Sequence, residues 1–140
     1  MNAAASAAAM AAMANSPYTM VGQAMVGAPL ATVEDSALFG LIVAGETALL
    51  AAGGEDGEVL FTSARVIVAE RVGILNKRRA VKAFRRGAIS AYAIDADSRV
   101  TLTLLGPSFG SAVLVFDEGF DPMTLSFWLG ETLVDVPSTV

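Results

Sequence analysis

The fold class is decided by the sequence Leu60-Phe-Thr-Ser-Ala-Arg-Val-Ile-Val-Ala-Glu-Arg71 and, two residues later, Ile74-Leu-Asn-Lys-Arg-Arg-Ala-Val-Lys-Ala-Phe-Arg-Arg-Gly-Ala-Ile-Ser-Ala-Tyr-Ala-Ile-Asp95. Apolar and polar side chains alternate along much of this stretch, and Ser or Gly separates its short apolar runs. This pattern is typical of β-strands. It predicts consecutive antiparallel strands at Arg65–Val72, Arg79–Arg85 and Ile89–Asp95. Most of the basic residues of the chain also lie here.

The same strand pattern continues on both sides of this stretch. Turns rich in Gly, at residues 53–57 and 106–108, separate further apolar runs. These runs predict four more strands, at Glu46–Ala52, Glu58–Thr62, Ser98–Leu105 and Ser111–Phe116. The sequence therefore predicts a mainly β fold with seven antiparallel strands.

A helix is predicted after the last strand. Asp121 can cap its N-terminus and Pro122 suits the first helical position, while Pro137 ends it. An apolar stripe with three- and four-residue spacing contains Leu125, Trp128, Leu129 and Leu133. An open antiparallel barrel needs a cover at its end, and this stripe suits that position. We therefore expect a β-barrel capped by a C-terminal helix, over residues 45–137.

The N-terminal third differs in composition from the rest. Residues 1–30 combine an Ala/Met-rich run with Gly22, Gly27 and Pro29, which predicts a low-complexity arm, helical or irregular, outside the barrel. Residues 31–44 are predicted to contain a short helix, with Thr32 as its cap and Leu38, Leu41 and Ile42 on its buried face.

Composition excludes several kinds of site. The 140 residues contain no Cys and no His, which excludes disulfides, thiolate nucleophiles, imidazole bases and the usual zinc ligand sets. Paired carboxylates occur at turns and lack the spacing of a calcium-binding loop. We therefore predict a protein that is not an enzyme, with no metal and no cofactor.

Six basic residues lie within ten positions although the net charge is −5. Such a cluster could bind an anion or an acidic lipid surface. It could equally be a charged edge strand that discourages sheet-to-sheet association, or it could pair with acidic residues of a neighbouring subunit. Nucleic acid is not expected, because the chain is acidic overall. The candidate residues are Lys77, Arg78, Arg79, Lys82, Arg85 and Arg86.

Other residues are candidates for contacts between subunits. Flexible methionine side chains adapt to irregular surfaces, and Phe127 is adjacent to Trp128 and must face another way on the helix. The interface candidates are Met10, Met13, Met20, Met25 and Phe127. Arg65 is predicted to have a structural role, bonding loop carbonyls or Glu70.

The order of motifs resembles the bacterial pleckstrin-homology-like domains. The residues that carry the resemblance are Leu60-Phe61-Thr62, Arg65-Val66-Ile67-Val68, a Gly-containing loop, the basic strand, Ile89-Ser90-Ala91-Tyr92 and the terminal helix. The similarity covers about Gly45 to Val136. It implies an open barrel without a common enzymatic activity, and several members look like ring-forming oligomers.

These observations together predict a non-enzymatic oligomeric scaffold or protein-interaction module. It would be cytoplasmic, or part of a larger assembly such as a shell or, if phage-encoded, a virion. The alternative is a module that binds an anionic ligand or a membrane surface through Lys77–Arg86.

Overall fold

The computed structural model describes residues 19–73 and 78–134. These residues form eight strands and one α-helix, linked in part by short 3-10 turns at Val33–Asp35, Phe39–Leu41 and Arg86–Ala88. The strands are β1 (Thr19–Pro29), β2 (Ala48–Gly53), β3 (Gly57–Thr62), β4 (Arg65–Val72), β5 (Arg78–Arg85), β6 (Ala91–Ala96), β7 (Val100–Gly106) and β8 (Gly110–Phe116); the helix α1 spans Pro122–Leu133. The seven predicted strands are present to within two residues at each end.

The strands form one sheet in the order β5-β4-β3-β2-β1-β8-β7-β6. Neighbouring strands are antiparallel except β1 and β8, which run parallel. Over the described residues the sheet does not close, so β5 and β6 are its two edges. The prediction of seven antiparallel strands is therefore wrong in number and direction: the sheet has eight strands and is mixed.

The additional strand is β1, which replaces the predicted arm from residue 19 onward. It lies in the middle of the sheet, where Val21, Ala24 and Val26 are buried. Gly27 has φ +80° and touches the backbone of Gly53 so closely that a Cβ would overlap it. A glycine is therefore needed at this position, both because the strands pack closely there and because φ is positive.

Two of the methionines that were placed in the arm belong to this strand. Met20 and Met25 are half-buried in β1, and Met20 packs against the core. They are part of the sheet of this chain and do not lie on an arm reaching toward another subunit. Met10 and Met13 lie outside the described residues.

The prediction of a short helix within residues 31–44 is wrong. The segment forms two 3-10 turns, and Thr32 makes no side-chain cap hydrogen bond. The Ser36 hydroxyl instead accepts a hydrogen bond from the Leu38 backbone N–H at 3.1 Å, which competes with helical bonding. Leu38 is buried as predicted, but Leu41 is 45% exposed.

Hydrophobic side chains are buried on both faces of the central strands. The inner face holds the main core, which includes Val66, Val68, Leu102 and Leu104. On the outer face, Leu38 packs with a second cluster formed by Ala51, Leu60, Ile67 and Ala69. The connection between β1 and β2 thus covers the outside of the sheet, which explains why β4 lacks the polar face of a half-exposed strand.

Helix α1 caps the core as predicted. The Asp121 carboxylate accepts a hydrogen bond from the Met123 N–H at 2.9 Å, and Pro122 follows the cap. Leu125, Trp128 and Leu129 are buried. The Trp128 ring meets Phe61 edge to face at 5.1 Å between centroids, and its Nε1–H donates to the Thr62 carbonyl oxygen at 3.1 Å.

Candidate functional site

Thr62 and Arg65, from the sequence Phe-Thr-x-x-Arg at residues 61–65, form a structural tie between the sheet and the connection that covers it. Arg65 Nε lies 2.8 Å from Glu46 Oε2, and its Nη2–H donates to the Leu41 carbonyl oxygen at 2.7 Å. The Thr62 hydroxyl donates to Glu46 Oε2 at 2.6 Å. Arg65 therefore holds a loop carbonyl, as expected, and its acidic partner is Glu46 and not Glu70.

The acidic side chain of this tie is almost completely buried. The Glu46 side chain is 2% exposed and the Arg65 side chain 29% exposed. The Arg65 hydrogen bond lowers the pKa of Glu46 from 4.5 to about 2, although burial acts in the opposite direction. The group is a carboxylate at neutral pH with its bonds satisfied, so it offers no acid–base chemistry there.

The structure does not collect the basic cluster into one site. Strand alternation places Arg79 on the outer face, where its Nη2 lies 2.9 Å from Glu58 Oε2. Lys82 lies on the opposite face, with its Nζ 2.7 Å from Glu70 Oε1. Both cations therefore form ion pairs within the chain. The sequence alone does not identify these acidic partners.

Arg86 follows the last residue of β5, and its side chain binds helix α1. Its guanidinium donates to the Trp128 carbonyl oxygen at 2.7 Å and lies 4.3 Å from the centroid of the Trp128 ring. It also bonds Thr132 and approaches Glu131 Oε2 at 3.4 Å. A cation at the C-terminus of a helix is favourable, so Arg86 holds the cap in place.

Two basic side chains of the predicted cluster remain available. Arg78 and Arg85 are exposed and have no partner among the described residues. They stand at opposite ends of β5. Lys77, the sixth member of the predicted cluster, lies outside the described residues.

Two open clefts adjoin these cations. A cleft of about 790 Å³ near the C-terminal end of α1 is lined by Ser63, Ala64, Arg85, Arg86, Gly87, Ala88, Ser108, Glu131 and Thr132. Another, of about 520 Å³, brings Arg71, Arg78 and Arg79 together with four carboxylates, those of Glu55, Asp56, Glu58 and Glu70. In the second cleft the four carboxylates outnumber the three guanidinium groups. This excess of negative charge disfavours an anionic ligand.

Within residues 19–73 and 78–134, no group of three or more acidic residues is arranged to hold a metal ion. In the same ranges no helix combines the length and the apolar character needed to cross a membrane.

The two free edges of the sheet differ in charge. Strand β5 carries four basic residues and no acidic one, whereas β6 carries Asp95 and no basic residue. Helix α1 approaches β6, yet Ala91, Ala93 and Asp95 stay exposed. Free strand edges offer backbone groups to another strand, so these are the surfaces best suited to bind a further chain.

Two solved bacterial structures resemble this fold. A DUF1696 family protein with a pleckstrin-homology domain from Shewanella loihica PV-4 has a TM-score of 0.63 and 17% identity, with 76% of this chain and 97% of that chain covered. A pleckstrin homology domain from Shewanella amazonensis SB2B has a TM-score of 0.54 and 19% identity, with 69% and 91% covered. The resemblance to the bacterial pleckstrin-homology-like domains is therefore confirmed at the level of the fold.

Two comparisons at the level of sequence found no match. No family model matches the chain. No curated protein matches it.

Proposed function

We propose that this chain, which has a pleckstrin-homology-like fold, is a non-enzymatic protein-interaction module that assembles with copies of itself. A pleckstrin-homology-like fold suits a binding or interaction role. The absence of His and Cys from the sequence removes the commonest catalytic side chains. The observation that carries the proposal is the pair of free sheet edges with different charge.

The two edges carry charge of opposite sign. Arg78 and Arg85 have no acidic partner among the described residues and stand at the ends of β5. On β6, Asp95 is exposed, and Ala91 and Ala93 present no bulky group that would block a neighbouring strand. Strand β6 contains no Lys, Arg or Pro, the residues that commonly protect an edge from pairing.

Pairing β5 of one copy with β6 of the next uses different surfaces on the two copies. Such a contact leaves one edge of each kind free, so it repeats until a ring closes or a filament grows. A shell or a virion, built from repeated copies, is the kind of larger assembly that this geometry would serve.

The mass of the particle in solution tests the proposal. Light scattering coupled to size exclusion should give a mass several times the 14.4 kDa of one chain. Ala93→Lys adds a charge to the exposed face of β6 and should lower the mass toward that of one chain. Ala37→Lys is the matched control, because Ala37 is exposed on a turn far along the chain from both edges.

Two results would contradict the proposal. A native chain that stays monomeric at micromolar concentration leaves no self-association to explain. A native assembly that Ala93→Lys leaves intact would place the contact elsewhere on the molecule.

The second candidate function is binding of an anionic ligand or membrane surface through Lys77–Arg86. The unpaired Arg78 and Arg85 favour it, at roughly 1 kcal/mol for each basic residue near an acidic surface. Co-sedimentation with vesicles containing phosphatidylserine tests it. Binding that the double variant Arg78→Glu, Arg85→Glu abolishes would support this function, and equal sedimentation of native chain and variant would exclude it.

A further inference from the structure

Helix α1 is apolar on two faces. One face, with Leu125, Trp128 and Leu129, is buried in the main core of the sheet. On the other, Met123 is 60% exposed, Phe127 72% and Val134, just past the helix, 59%. A surface helix normally presents polar groups to water, and a helix that is apolar all round is normally covered. The exposed stripe of α1 thus has the character of a contact surface.

The stripe has space for an incoming chain. A groove of about 210 Å³ runs beside it, between α1 and β2, where Leu49, Leu50, Phe127 and Trp128 line it. Leu49 is 47% exposed at an irregularity of β2. Gly130 lies one turn after Phe127, and a Cβ built there would meet nothing within 4 Å. A helix can approach closely at such a position because no side chain stands in its way.

Acidic residues lie at both ends of the helix that carries the stripe. Asp117, Glu118 and Asp121 precede α1 and are exposed, and the Glu131 side chain is 75% exposed despite its approach to Arg86. The sequence has no Lys or Arg after Arg99. An acidic membrane would be repelled, and two copies of α1 packed face to face would bring like charges together.

We propose that this stripe binds an amphipathic helix of another protein, one whose apolar face is flanked by Lys or Arg. The apolar side chains of the partner would lie against Phe127 and Leu49, and its cations would face Asp121 and Glu131. Phe127 would be the anchor, since an exposed aromatic ring beside a groove commonly supplies most of the binding energy. This inference does not depend on self-association through the sheet edges.

A synthetic helix of about 15 residues made of Leu and Lys serves as the probe. The same helix with Glu in place of Lys is the control peptide. Trp128 is the only Trp in the chain and lines the groove, so its fluorescence reports binding directly. Phe127→Ser tests the anchor. Val43→Ser is the matched control, since Val43 is 61% exposed and lies on neither the stripe nor a sheet edge.

The Lys peptide should bind the native chain and the Val43→Ser variant alike. Phe127→Ser should weaken binding at least about tenfold, and the Glu peptide should not bind. Equal binding by native chain and Phe127→Ser would overturn the proposal, as would no binding of the Lys peptide. If Phe127→Ser instead lowers the particle mass, the stripe is occupied by a second copy and the proposed partner is wrong.

The mass measurement separates this inference from the proposed self-association. Peptide binding by a chain that is monomeric would support the inference while the proposed function fails. An assembly sensitive to Ala93→Lys but without peptide binding would give the reverse result.

Discussion

Replacing Glu46 with Gln should make the protein less stable at neutral pH and less sensitive to acid. The pKa of Glu46 is lowered from 4.5 to about 2 by the Arg65 hydrogen bond. At about 1.4 kcal/mol for each tenfold change in proton affinity, the difference corresponds to about 3 kcal/mol of stability. Solvent reaches Arg65, whose side chain is 29% exposed, so we expect a measured loss of about 2 kcal/mol at neutral pH.

The pH dependence follows from the direction of this shift. A carboxyl whose pKa is lower in the folded chain contributes stability that is complete above pH 4.5 and is lost as the pH falls toward about 2. The Gln side chain is uncharged at every pH in this range, so its contribution does not change with pH. The free energy of unfolding of native chain and Glu46→Gln should therefore converge as the pH falls, and at about pH 3 at least half of the neutral-pH difference should be gone.

Urea unfolding at fixed chain concentration, at about pH 7 and about pH 3, measures both quantities. Glu58→Gln is the matched control. Its side chain is 18% exposed and pairs with Arg79, which is 51% exposed, so it should cost less than about 1 kcal/mol. A stability difference between native chain and Glu46→Gln that stays the same at both pH values would refute the reasoning.

Three further predictions concern the cap and the glycines. Trp128→Phe removes the hydrogen bond to the buried Thr62 carbonyl and should cost at least about 2 kcal/mol in urea unfolding, and an unchanged midpoint would show that α1 is not held there. Gly27→Ala places a methyl group against the Gly53 backbone at a positive φ and should lower stability by more than about 2 kcal/mol. Gly130→Ala, where space is open, should raise the melting temperature by the equivalent of about 0.5–1 kcal/mol. A stabilising Gly27→Ala or a destabilising Gly130→Ala would contradict the packing.

The candidate site could be predicted only in part. The sequence identifies the basic residues, and strand alternation separates Arg79 and Lys82 onto opposite faces. It does not identify their partners, because Glu58 and Glu70 reach them only after neighbouring strands pair in register. Arg86 shows the same limit: its partners on α1 lie more than 40 residues away in sequence.

The elements that could be predicted from the sequence are those with their own local signal. Period-two alternation located the seven strands from β2 to β8, and the cap at Asp121 with the stripe around Trp128 located α1. Residues 19–29 could not be predicted as a strand, because Gly22, Gly27 and Pro29 interrupt the strand pattern and the hydrogen bonds of this strand come from β2 and β8. The same holds for the two open edges: a strand is central or peripheral according to which partners it meets, and that depends on contacts distant in sequence.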